Sequence, residues 1–159
     1  MKNFTVKDLT LNAIFGSIYV VLVFIFSILS FDDIQFRIAE VLLIFALFNP
    51  KIIPGLILGN FIANLGSPLG IIDSVIGSIA SLIALILMVV FKNKPKIAMI
   101  FPAISNGLIV GAMLHIMLDL PLLITMFFVF LGEAVVMYLL GLPLYYYVKK
   151  NDHILDLIS

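Results

Sequence analysis

The sequence predicts an all-α, polytopic membrane protein, a bundle of six transmembrane helices with both termini in the cytoplasm. Three observations carry that reading. Of 159 residues, 64% are hydrophobic and 11% charged, where a soluble domain carries roughly 25% charge, and mean hydropathy is +1.28. The apolar residues fall into six runs separated by polar punctuation, several of them long enough to cross a bilayer. When six spans are drawn, eight of the nine basic residues fall on one side. The length fits a single integral-membrane domain over residues 1–159.

Helix 1 is expected over residues 7–29, stopping at "SFDDIQ". Lysines precede it, but the run is too long for the apolar region of a signal peptide, so it reads as a retained helix. Helix 2 (36–48) ends at "NPK" and helix 3 (52–65) at "GSPLG". Both are shorter than the ~20 residues of a straight span. Pro50 and Lys51 nevertheless place a turn at a water boundary between them, and short or bent segments are tolerated where protein or a wet cavity covers them. Helix 4 (71–91) ends at "KNKPK", helix 5 (97–118) at "DLP", and helix 6 covers 122–148.

Charge orients the bundle. Lys2, Lys7, Lys51, Lys92, Lys94, Lys96, Lys149 and Lys150 share the side of the termini, which the positive-inside rule makes cytoplasmic in a multi-pass cell-membrane protein. The opposite loops, "FDDIQ", "GSPLGIID" and "LDLP", are acidic or neutral. Other features narrow the function. No basic patch invites nucleic acid, and the absence of cysteine excludes disulfides and thiolate metal sites. The chain has no G-x-x-x-x-G-K-[ST] loop with which to use ATP itself. It has no nucleophile elbow or H-E-x-x-H motif that would make it an enzyme. No inverted repeat marks a self-contained secondary carrier, and nothing calls for a cofactor.

Arg37 is the basic residue that escapes the lysine side, one helical turn from Glu40. An ion pair capping helix 2 is its structural reading. Asn60 and Asn64, four residues apart, share a face of helix 3. Asn106 falls near mid-depth on helix 5 and His115 near its outer mouth. By the α-helical rise Glu133 lies roughly 16 Å down helix 6, and Glu40 roughly 6 Å down helix 2. Arg37, Glu40, Asn60, Asn64, Asn106 and Glu133 can therefore converge in the outer half of the bundle. A carboxylate at mid-membrane costs on the order of 2.5 kcal/mol or more and normally faces an interior or a wet cavity. Interhelical asparagine is also ordinary packing glue, contributing about 0.6 kcal/mol. His115 with Glu133 makes only two ligands, too few to argue a metal. A few polar groups in an apolar wall describe a small-molecule pocket.

Small residues recur at spacings of four: Ala13 and Ser17 on helix 1, Gly55, Gly59 and Ala63 on helix 3, Ala103, Gly107 and Gly111 on helix 5. Such stripes let backbones approach closely. Helix 1 has few polar neighbours, which leaves its stripe free to face another membrane protein.

The segments "IQFRIAEVLLIFALFNPKIIPGLILGNFIANLGSPLGIIDSVIGS" and "GEAVVMYLLGLPLYY" resemble the QueT family of queuosine-precursor transporters, over about residues 5–149. These are substrate-binding S components of energy-coupling factor transporters. The resemblance implies six helices, a ligand site near the outer face, and partnership with one membrane T subunit and two ATPase subunits. It also implies that a small-residue motif on helix 1, here Ala13 and Ser17, docks onto the T subunit; serine replaces the second alanine of the family pattern. The implied ligand is a 7-deazaguanine such as the aminomethyl derivative, or queuine. A guanine-like edge offers a ring N–H beside an exocyclic amine, which a carboxylate accepts bidentately. On this reading Glu40 takes that edge and Arg37 orients Glu40 or binds directly. Phe36, Phe61 and Tyr138 are candidates to stack on the ring, with packing as their commoner role. An S component for a vitamin would use similar parts. A membrane scaffold that transports nothing is the alternative from another class.

Overall fold

Thr5 starts the first helix with a capping box: its hydroxyl accepts from the Asp8 amide at 3.2 Å and its own amide donates to Asp8 Oδ2 at 2.8 Å. The computed structural model, which describes residues 4–30 and 36–158, is helical throughout, with no strand among those residues. Helix α1 is Val6–Ile25, followed by a separate turn at Ser27–Ser30. It therefore breaks before the expected residue 29, and most of the "SFDDIQ" stop lies outside the described residues. The chain continues as α2 (Ile38–Leu47), α3 (Ile53–Asn64), α4 (Ile71–Val90), α5 (Phe101–Leu118), α6 (Leu122–Lys149) and a short α7 (Asp152–Ile158). Every expected helix is present within a few residues, and the interruptions fall at the expected Pro, Gly and Lys clusters.

Two helices depart from regular α geometry. Helix α2 is a 3₁₀ helix of 10 residues, where runs beyond three or four are uncommon. At 2.0 Å per residue it reaches about 20 Å, against about 15 Å for the same residues as an α-helix. Helix α6 passes through a π-turn at Met137–Gly141. Four stretches are long and apolar enough to cross a membrane: Val6–Ile25, Ile71–Val90, Pro95–Leu118 and Leu122–Lys149. This is a multi-pass membrane chain, with α2 and α3 as shorter apolar helices between its long ones.

One end of the bundle collects the α1 start, the α2–α3 turn and the carboxy-terminal helix. Lys7 Nζ donates to the Asp156 carbonyl at 3.0 Å, and Asn49 Nδ2 to that of Ile158 at 2.7 Å. Lys51 Nζ lies 2.6 Å from Asp8 Oδ2. Asn12 ties α1 to α3, donating to the Lys51 carbonyl at 2.8 Å and accepting from the Gly55 amide at 2.5 Å. Glycines make that contact possible, since a Cβ on Gly16 would stand 2.7 Å from the Gly55 carbonyl oxygen. Gly107 and Gly111 do the same for α5, against Phe130 and Met126 of α6. Most of the apolar core, including Leu43, Ile44, Ile52, Leu56, Met88, Met99 and Met137, fills the bundle around and toward this end.

Candidate functional site

The 3₁₀ helix α2 carries Glu40 into the interior, where it is fully buried. Three neutral donors from three other helices converge on one of its oxygens. Oε1 accepts from Tyr19 Oη of α1 at 2.7 Å, Ser81 Oγ of α4 at 3.1 Å and Asn60 Nδ2 of α3 at 3.4 Å. The donors form a chain of their own: Asn64 Nδ2 donates to Asn60 Oδ1 at 2.5 Å, and Asn60 Nδ2 to Ser81 Oγ at 2.6 Å. The outermost link touches an ion pair. Arg37 Nη2 stands 3.4 Å from Asp73 Oδ1, both residues buried, and Gly77 supplies the space between. A Cβ at Gly77 would meet Asn64 Nδ2 at 2.7 Å, Arg37 Nη1 at 3.5 Å and Asp73 Oδ1 at 3.6 Å.

A second pair faces inward from α5 and α6. Asn106 Nδ2 donates to Glu133 Oε1 at 2.9 Å, and both residues are fully buried. Arg37, Glu40 and Glu133 lie close enough to act on one another through the low-dielectric interior. Among the described residues five buried side-chain oxygens lack a hydrogen-bond partner; two are the hydroxyls of Ser67 and Ser78, and three belong to these groups: Glu40 Oε2, Glu133 Oε2 and Asn106 Oδ1. Buried acceptors are nearly always satisfied by protein or water, so these three oxygens retain capacity for N–H or O–H donors.

The sequence matches the QueT transporter family over residues 9–150. The chain belongs to that family. It matches no curated protein and no solved structure. QueT is the S component of energy-coupling factor transporters, a transporter component and not an enzyme. Intramembrane polar side chains that face the bundle interior are a frequent mark of substrate pathways, which agrees with a substrate-binding transport role for the family.

For this QueT-family chain, all six expected site residues are buried, and the structure joins them in two groups. Arg37, Glu40, Asn60 and Asn64 belong to the α1–α4 network, while Asn106 and Glu133 form the α5–α6 pair. Arg37 pairs with Asp73, and the hydrogen bonds to Glu40 come from Tyr19, Ser81 and Asn60. Tyr138 is not beside this site: its hydroxyl donates to the Lys96 carbonyl at 2.7 Å, in the α4–α5 connection. Phe61 lines an outer apolar groove with Ile57, Leu58 and Leu82. Phe36 is half-buried just before α2. His115 Nδ1 donates to the Leu120 carbonyl at 2.5 Å, and among the described residues no group of three or more metal-ligating side chains occurs. Ala13 and Ser17 are exposed.

Tyr19, Asp73, Gly77 and Ser81 were not legible as site residues. A signal existed for three of them. Asp73, Gly77 and Ser81 recur every four residues on α4, a polar and small stripe on an otherwise apolar helix. Tyr19 has no such pattern, and only its burial reveals it.

Proposed function

We propose that this chain captures a queuosine precursor, a 7-deazaguanine such as the aminomethyl derivative or queuine, from outside the cell for delivery to the cytoplasm. The unpartnered oxygens of Glu40, Glu133 and Asn106 carry this reading. A deazaguanine presents a ring N–H and an amine on one edge, and its aminomethyl group adds an ammonium at neutral pH, which matches acceptors set around two carboxylates. The charge balance agrees, since Glu40, Glu133 and Asp73 outnumber Arg37, and a cationic ligand offsets part of that excess.

Transport then takes place in the cell membrane with a T subunit and two ATPase subunits, because the chain has no phosphate-binding loop of its own. Six crossings follow if α2 and α3 each traverse the bilayer, the 3₁₀ form of α2 supplying reach that its length lacks as an α-helix. The lysine-rich end that holds both termini is the cytoplasmic one. The test is a thermal-shift screen of the purified protein with 7-deazaguanines, guanine and vitamins. Stabilisation by a deazaguanine at micromolar concentration, and by no vitamin, is expected. A shift with a vitamin alone makes the chain an S component for that nutrient. No saturable ligand in the screen favours the scaffold.

A further inference from the structure

The two carboxylates do not have the same free capacity. A carboxylate has two oxygens and about four lone-pair sites. At Glu40, Oε1 is taken by Tyr19, Ser81 and Asn60, leaving Oε2 alone. At Glu133, Oε1 accepts only Asn106 Nδ2 and Oε2 accepts nothing. Beside it the Asn106 amide oxygen is also without a partner. The α5–α6 side therefore offers several adjacent acceptors, whereas the α2 side offers one oriented oxygen.

Resting on the function proposed above, we propose that Glu133 with Asn106 reads the ligand's planar two-donor edge, while Glu40, positioned by Tyr19 and Ser81, receives its cationic substituent. A flat edge with two parallel N–H groups needs two acceptors side by side, which Glu40 lacks. A primary ammonium needs a point of negative charge and tolerates a single oxygen. Tyr19 and Ser81 are positioning residues: they fix the carboxylate plane so that Oε2 faces inward, and they touch no ligand atom themselves. This reverses the assignment suggested by the position of Glu40 beside Arg37 in the sequence.

Calorimetric titration of the purified full chain with aminomethyl-deazaguanine and with its neutral nitrile analogue separates the roles. Loss of a charge-assisted hydrogen bond corresponds to an affinity loss of about 10- to 150-fold. Glu133→Gln is expected to lose that much for both ligands, and Glu40→Gln for the aminomethyl ligand only. Ser81→Ala and Tyr19→Phe are expected to narrow the wild-type preference between the ligands about 3- to 10-fold, in the direction of Glu40→Gln, with Ser81→Thr restoring it. A merely structural role for Ser81 would weaken both ligands equally. Glu40→Gln weakening both equally, or Glu133→Gln discriminating between them, overturns the assignment while leaving the substrate class standing. Wild-type protein that binds neither ligand overturns the substrate class, and the assignment with it. Each variant is first checked for a cooperative unfolding transition; for one that lacks it, competition between the two ligands for wild-type protein reconstituted in lipid reports the preference, and absence of any preference counts against a dedicated cationic subsite.

Discussion

At the scale of single residues, the site depends on an absence as much as on its polar groups. Gly77 is where the Asn64 amide, the Arg37 guanidinium and the Asp73 carboxylate meet. A methyl group there would stand 2.7 Å from Asn64 Nδ2, closer than real packing allows, so the amide must swing away. Asn60 then loses the donor that fixes its orientation, and Asn60 in turn helps to hold Glu40 Oε1. Gly77→Ala is accordingly expected to lower ligand affinity about 10-fold, comparable to the loss of one hydrogen bond to a charged group, while the protein stays folded. Equal affinity in the variant and the wild type, measured by the same titration, would show that the Asn64–Asn60 link does not matter to binding. Arg37, Glu40, Glu133 and the three asparagines were legible because charges and amides are expensive within apolar runs, whereas Asp73 sits at the edge of a loop that is acidic in any case. Tyr19 and Ser81 were not legible, since a hydroxyl in a membrane helix is ordinary and acquires its role only from a carboxylate on another helix.

At the scale of elements, the small-residue stripes on α3 and α5 proved to be packing surfaces, while α1 splits its small residues between two faces. Gly16 lies against Gly55 and Gly59, but Ala13 and Ser17 remain exposed. Sequence spacing located the helices well because polar punctuation marks where apolar runs end. It did not reveal the 3₁₀ form of α2 or the π-turn in α6, since hydrogen-bond register within a helix is settled by neighbours. Gly141 of the π-turn packs beside Ile44 of α2, a Cβ there falling 3.4 Å from Ile44 Cγ2, so the two irregular helices are fitted to each other. The α1–α3 contact gives the cleanest test. A Cβ at Gly55 would run into the Asn12 backbone, whereas at Gly66 the nearest atom is the movable Phe24 ring at 3.2 Å. Overpacking a rigid contact costs about 1–3 kcal/mol. Gly55→Ala should therefore lower the unfolding temperature in detergent by several degrees, with Gly66→Ala changing it little. Equal effects would mean that the α1–α3 approach is looser than its geometry implies.

At the scale of the whole molecule, the bundle separates its buried polar network from the exposed small residues of α1. The residues of the polar network are 0–2% exposed at Glu40, Asn60, Asn64, Arg37, Asn106 and Glu133. Ala13 and Ser17, in contrast, open outward beside Leu58 and Ile62 in a shallow groove between α1 and α3. Under the importer reading, this outward stripe is where the T subunit packs, because small residues let a second helix approach closely. Binding and transport should then respond differently to changes there. Ala13→Leu or Ser17→Leu places bulk on the outer face and leaves the inward Tyr19 hydroxyl with its Glu40 contact. Ligand affinity of the isolated chain is expected to stay within about twofold of wild type, inside the scatter of a surface substitution. Uptake by cells or vesicles containing the complete importer should fall severalfold, with less of the chain co-purifying with its membrane partner. Affinity that collapses while assembly survives would mean the stripe acts on the pocket through α1. Unchanged uptake would place the docking surface on another helix. The isolated chain, with no means of using ATP, should bind ligand without accumulating it, and uphill uptake by the chain alone would make it a secondary carrier.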